Sequence, residues 1–186
     1  NRDRRRERRD LSPEELELLV ATARSGPRVH GLDGAERAML YRLAAGTGFR
    51  AAELGSLTPG SFRLDTEPPV VEVEAAYSKR RKRDAQPISA DLACVLRPWV
   101  STRPRGEPVF PTNGLSNKTA KMMRADLEAA GIPYVDGQGR VADFHALRHT
   151  YISRVVGSGA SVRVAQELAR HSTPMLTIGR YSHTRL

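Results

Sequence analysis

Between residues 70 and 88 the chain changes its period. Val70-Val71-Glu72-Val73-Glu74-Ala75 reads as a half-buried strand and Ala85-Gln86-Pro87-Ile88 as its antiparallel partner. Lys79-Arg80-Arg81-Lys82-Arg83 falls between them and places five consecutive cations at the hairpin tip. Everywhere else the apolar spacing is helical or absent. The fold expected is therefore mainly α with a small antiparallel β-sheet (α+β), in one domain without internal repeats.

The helical segments carry their own punctuation. Ser12-Pro13-Glu14-Glu15 is a capping box with proline at the first helical position, and the helix it opens should run to about Arg24, before Ser25-Gly26-Pro27. Asp33 can cap a second helix whose apolar face is Ala35, Met39, Leu40, Leu43 and Ala44. Gly46-Thr47-Gly48 ends it and leads into a short helix around Arg50–Leu57, followed by a turn at Thr58-Pro59-Gly60. Ser89 can cap a helix through about Arg97, and 101–114, rich in Pro and Gly, should be loop. Asn117–Ala130 reads as a helix ended by Gly131, with a turn at Asp136-Gly137-Gln138-Gly139. Two further helices fit Phe144–Gly157 and Ser161–Ala169, and Pro174 separates them from a last helical turn that holds Tyr181. Residues 1–11 alternate Arg with acids and are expected to be a weakly ordered basic lead-in to a domain spanning 12–186.

Thirty Lys and Arg against 21 Asp and Glu give a net charge of +9 in 186 residues. Residues 1–10 contribute +3, so the other 176 still carry +6 and the excess belongs to the domain itself. Such a balance favours a polyanionic partner, since each phosphate neutralised releases condensed counterions. A single cysteine, Cys94, excludes an internal disulfide and is expected to be a small buried side chain. No apolar run approaches the roughly 20 residues of a membrane helix, and no signal peptide is visible, which suits a cytoplasmic protein.

Four segments hold residues that are odd choices for a solvated surface: Thr47-Gly48-Phe49-Arg50-Ala51-Ala52-Glu53-Leu54, the hairpin Lys79, His145-Ala146-Leu147-Arg148-His149, and Ala169-Arg170-His171 with Arg180-Tyr181-Ser182-His183. Each alone also fits a surface patch or a satisfied core polar group. His145 and Arg148, three apart, share one helical face. Arg80, Arg81, Lys82 and Arg83 beside Lys79, and Lys118, Lys121 and Arg124 spaced three apart on one helix, are candidates for contacts to double-stranded DNA.

In their order along the chain, these segments resemble the catalytic domain of the tyrosine recombinases, the phage-integrase family. That family has an Arg in a T-G-x-R-x-x-E-L segment, a Lys on a β-hairpin, H-x-L-R-H, a His in an L-G-H-like turn, and a Tyr closely downstream. The matching residues here are Arg50 with Glu53, Lys79, His145 with Arg148, His171 and Tyr181. Two features depart from the pattern. The L-G-H turn reads Ala169-Arg170-His171, and ten positions separate His171 from Tyr181 where many members have nine, as in integrases of the conjugative-transposon type.

The resemblance implies a mechanism. Arg50 and Arg148 would clamp the non-bridging oxygens of a scissile phosphate, because a planar guanidinium binds two oxygens at once. His145 would take the phenol proton and His171 would hydrogen-bond the transition state. Tyr181 would be the nucleophile, Lys79 the general acid, Glu53 an orienting carboxylate and His149 a structural support beside Arg148. Because the phosphotyrosyl ester conserves the bond energy, the family needs neither cofactor nor metal. Members work as tetramers on DNA, and an isolated domain would be a monomer. An upstream helical domain that clamps the far side of the DNA is also implied, and a chain that starts at Asn1 leaves room for one. A bacterial member would work on the nucleoid. Two alternatives stay open: a type IB topoisomerase that relaxes supercoils with a similar residue set, and a non-catalytic basic DNA-binding module.

Overall fold

The computed structural model describes residues 7–78, 83–110 and 115–170. Helices α1 (Pro13–Ser25), α2 (Gly34–Thr47) and α3 (Ala51–Gly55) come first, then a 3-10 turn at Pro59–Ser61. Strands β1 (Phe62–Arg63), β2 (Val70–Val73) and β3 (Asp84–Pro87) follow, and then α4 (Ala90–Ser101), α5 (Leu115–Ala129), α6 (Ala146–Gly157) and α7 (Val162–Leu168). The strands form one antiparallel sheet in the order β1-β2-β3, with Val71 opposite Gln86 and Val73 opposite Asp84. Alternation sends Val71 and Val73 into the core and leaves Glu72 on the outer face, where Arg63 and Arg83 both pair with it. The α+β expectation holds, with one addition. Two-residue β1 is too short to show a period in sequence.

The caps read from sequence form as expected. Ser12 with Glu15, and Asp33 with Glu36, close reciprocal capping boxes at the heads of α1 and α2. Ser89 and Ser161 accept from the third residues of α4 and α7. Helix α4 runs four residues past the expected stop at Arg97, through Pro98. Proline forfeits one helical hydrogen bond there, but Leu96 below it is fully buried and Trp99 above it stacks tilted on Phe110 at 5.2 Å, so packing carries the last turn.

Three other expectations are corrected. Cys94 is exposed on α4. Ala35 faces solvent, whereas Arg37 on the same helix is fully buried. Residues 7–11, expected to be part of a weakly ordered lead-in, pack on the domain. Leu11 is buried, Arg8 pairs with Asp143 at 2.9 Å, and Arg9 bonds Glu15 and the Pro133 carbonyl. Arg8, which looks solvated in sequence, finds its acid 135 residues away.

One buried network fastens α1, α2 and α5. The Arg37 guanidinium grips Asp126 through Nε at 2.9 Å and Nη2 at 3.1 Å, and its remaining donors reach the carbonyls of Ala23, Pro27 and Leu32. The Tyr41 hydroxyl donates to the same carboxylate at 2.6 Å. Removing one partner would strand the others in an apolar setting, so Asp126→Ala is expected to cost about 3–5 kcal/mol in urea unfolding. Tyr41→Phe, which removes one hydrogen bond to a charged group, is expected to cost about 1.5–3 kcal/mol in the same experiment.

Candidate active site

Helix α2 ends at Gly48, which takes a left-handed conformation with φ 65° as its C-cap. A Cβ there would sit 2.5 Å from the Tyr151 ring, so both the backbone and the space require glycine. The turn throws Phe49 into the core, places Arg50 at the head of α3, and aims the Gly48 carbonyl inward. That carbonyl accepts from Arg148 Nη1 and, at 3.3 Å, from Arg170 Nη2. Arg148 lies one turn into α6, and its Nη2 bonds the carbonyl of Ala169.

Glu53 sits at the centre of the cluster. One carboxylate oxygen accepts from the Arg50 backbone N–H at 2.7 Å and from Arg170 Nη2 at 2.8 Å, and the other from Arg50 Nη1 at 3.1 Å. It is 2% exposed, Arg170 4% and Arg50 29%, so Arg50 alone of this trio opens to solvent. Burial pushes the Glu53 carboxyl up, but the charge and hydrogen bond of Arg170, with those of Arg50, outweigh it and hold the group below its ordinary value. Burial, then repulsion from Arg50 and Arg170, brings the Arg148 guanidinium down to about 9, so it remains charged at neutral pH. Tyr151 is pushed up to about 12 by burial and takes a 2.5 Å hydrogen bond from Gln86 Nε2, which makes it a packing residue.

His145 is the N-cap of α6, three residues ahead of Arg148, and its ring meets that of His149 edge-on at 5.5 Å. The Nδ1 of His149 is buried without a hydrogen-bond partner among the described residues. Arg50, Glu53, His145, Arg148 and His149 thus occupy α3 and the first turns of α6, and the Gly48 turn joins Arg50 directly to Arg148. Lys79, Arg80, Arg81, Lys82, His171 and Tyr181 lie outside the described residues. The residues flanking them do not: Ser78 donates to Asp84 at 2.6 Å, and Asp84 lies 3.8 Å from Arg170 Nη1. Arg83 is exposed and paired with Glu72 at 2.5 Å. Lys118, Lys121 and Arg124 are exposed along α5, with Arg124 over the Tyr134 ring at 5.1 Å. Sequence reading treated Arg170 only as a departure from a motif. Its +50° φ, in a turn where glycine is usual, and its buried guanidinium mark it as part of the cluster.

Residues 9–186 match the phage integrase family. This chain belongs to that family. It is 28% identical over 182 residues to tyrosine recombinase XerD of Caulobacter vibrioides, covering 93% of this chain and 56% of that protein. The fold matches the catalytic domain of bacteriophage HP1 integrase with a TM-score of 0.64 at 22% identity, over 95% of this chain and 88% of that one. It also matches XerH site-specific recombinase bound to its difH substrate, with a TM-score of 0.70 at 19% identity, over 96% of this chain and 51% of that one. The chain spans about half the length of the curated recombinases XerC and XerD that it matches.

Because the folded Glu53 carboxyl lies below its unfolded value, its stabilising contribution is complete above the ordinary carboxylate range. It drains away as pH falls through the folded value. Glu53→Gln is expected to be less stable at pH 7, with a flatter acid limb when urea midpoints are followed from pH 7 to 3.

Proposed function

We propose that this chain is the catalytic domain, residues 12–186, of a site-specific DNA recombinase that cuts and rejoins strands through a 3′-phosphotyrosyl intermediate. One observation carries the reading: two guanidiniums from distant helices flank one turn, Arg50 on the buried Glu53 carboxylate and Arg148 on the Gly48 carbonyl. Fixed cations gathered at one point suit an anion whose charge grows during reaction.

Arg50, the exposed member, would bind the non-bridging oxygens of the scissile phosphate. A guanidinium has five N–H donors, and Arg148 uses two on the Gly48 and Ala169 carbonyls, so donors remain for the same phosphate. The Tyr181 oxygen attacks phosphorus, His145 accepts the phenol proton, and the bond from phosphorus to the 5′ oxygen breaks. Lys79 protonates that leaving oxygen, and His171 donates to a non-bridging oxygen of the pentavalent transition state. The 5′ hydroxyl of a second strand then attacks the ester, giving its proton to Lys79, while His145 returns a proton to the departing Tyr181 oxygen.

Arg80, Arg81, Lys82 and Arg83 would flank the minor groove beside Lys79. Lys118, Lys121 and Arg124 would follow the backbone from α5. An open groove lined by Ala52, Ser56, Thr58, Glu74 and Tyr77 lies between the hairpin base and α3. XerH bound to its difH substrate and the Tn1549 integrase in complex with transposon right end DNA support DNA as the partner; a tetramer on two sites, with an upstream DNA-clamping domain, is carried over from the family resemblance alone. Work on the bacterial nucleoid, in the cytoplasm, follows from that partner.

The decisive experiment is a nicked suicide duplex whose sequence is first selected for binding from a random pool, with adducts resolved on denaturing gels and mapped by mass spectrometry. Wild type is expected to give an adduct on Tyr181 and Tyr181→Phe none. An adduct surviving that change would overturn the nucleophile. A two-site recombination assay beside a supercoil-relaxation assay separates exchange from relaxation. Lys118→Ala or Lys121→Ala is expected to weaken binding across sequences and to reduce the slope of log affinity against log salt by about 1.

A further inference from the structure

Arg170 stands next to the expected His171, in the turn where the family pattern has a glycine. It is a cation 4% exposed, on a backbone with φ 50°, a conformation that an unbranched residue adopts only under constraint. Its side chain explains the constraint. The guanidinium lies over the Phe49 ring at 4.5 Å and bonds Glu53 at 2.8 Å and the Gly48 carbonyl at 3.3 Å. Its Nη1 faces Asp84 at 3.8 Å. Meanwhile Arg148 bonds the carbonyl of Ala169, immediately before Arg170.

These contacts reach three places. Phe49 and Glu53 flank Arg50. Asp84, which takes the Ser78 hydroxyl at 2.6 Å, closes the base of the hairpin loop whose first residue is Lys79. Arg170 itself fixes the backbone that leads into His171. Its Nη2 is turned inward onto Glu53 and the Gly48 carbonyl, and its burial excludes a solvated-surface role. A purely structural ion pair would need only Glu53. The bond to the Gly48 carbonyl and the approach to Asp84 are more than that role requires.

We infer that Arg170 is a positioning residue: it sets the register between the Arg50 turn, the base of the Lys79 hairpin and the His171 turn, so that the cations approach one phosphate together. The inference rests on the recombinase reading above. It assigns Arg170 no contact with DNA and no proton of its own.

Arg170→Gly removes the side chain on a backbone that glycine adopts freely, and Arg170→Lys keeps the charge without the fork. Single-turnover cleavage of the suicide duplex is measured at saturating DNA, with affinity measured separately. Arg170→Gly is expected to slow cleavage by about 10–100-fold while DNA affinity changes far less, because it acts through the residues it orients. Millimolar guanidinium, well below denaturing levels, should restore part of the rate, and Lys should recover less than guanidinium does. A duplex with sulfur in place of the leaving 5′ oxygen needs no proton from Lys79, so the defect should shrink on it if the hairpin is out of register. Asp84→Asn, which leaves the Glu53 pair intact, should show the same sulfur-dependent defect in milder form, so the test survives a poorly folded Arg170→Gly.

Unchanged cleavage in Arg170→Gly overturns the inference. So does a defect in affinity alone, or an equal defect on oxygen and sulfur substrates in both variants. If wild type itself gives no Tyr181 adduct, the recombinase reading fails instead, and the two failures are distinct.

Discussion

The site depends on one buried carboxylate. Arg50, Arg148 and Arg170 approach within mutual influence, and their repulsion together with desolvation would push these segments apart without a counter-charge. Glu53 supplies that charge while spending its oxygens on three donors from two segments 117 residues apart in sequence. The carboxylate also reaches back to the N–H of Arg50, so the acid that gathers the cations caps the helix that presents one of them. Cap and counter-ion are one group, and neither can drift without the other.

Gly48 does for the backbone what Glu53 does for charge. Its left-handed turn ends α2 and starts the path to α3, and its carbonyl receives two guanidiniums from the C-terminal third of the chain. The ring of Tyr151 fills the space where a side chain would stand, and its hydroxyl is tied to β3 through Gln86. Helices α2 and α6, strand β3 and the turn after α7 thereby meet at one residue. Elsewhere, Arg37 grips Asp126 with a forked guanidinium and so holds α1, α2 and α5 around another buried acid. Rigid packing there is what allows the active-site helices to be aimed from behind.

Local chemistry was legible in the sequence and distant pairing was not. Ser12, Asp33, Ser89 and Ser161 announce helix starts because a cap is settled within four residues, and Val71 and Val73 announce a strand because alternation is settled within five. The order of Arg50, His145 and Arg148 was readable as a motif, and family membership follows the same residues. Arg37 looks like solvated surface in any local window, and Arg170 shows there only as a departure from a motif. Their burial is decided by Asp126 and Glu53, 89 and 117 positions away, and no period or propensity carries that information. The extra turn of α4 past Pro98 was hidden for a similar reason, since Phe110, which holds Trp99, belongs to a loop. Residues 7–11 repeat the lesson, with Asp143 as the distant partner of Arg8.

A motif position can therefore change its chemistry without leaving the fold. Where the family pattern has glycine, this chain has an arginine that keeps the left-handed backbone, and the strain of a side chain there must be offset by what the side chain finds. It finds an aromatic face, a carboxylate, a carbonyl and a second acid, all already present for other reasons. The added charge is not neutral for its neighbours, because it deepens the depression of Arg148. Under the proposed function a bound phosphate would relieve that depression, since an anion favours the charged form of every guanidinium around it. The cluster holds three cations around the Glu53 carboxylate, and in that reading the phosphate is the charge that would complete it.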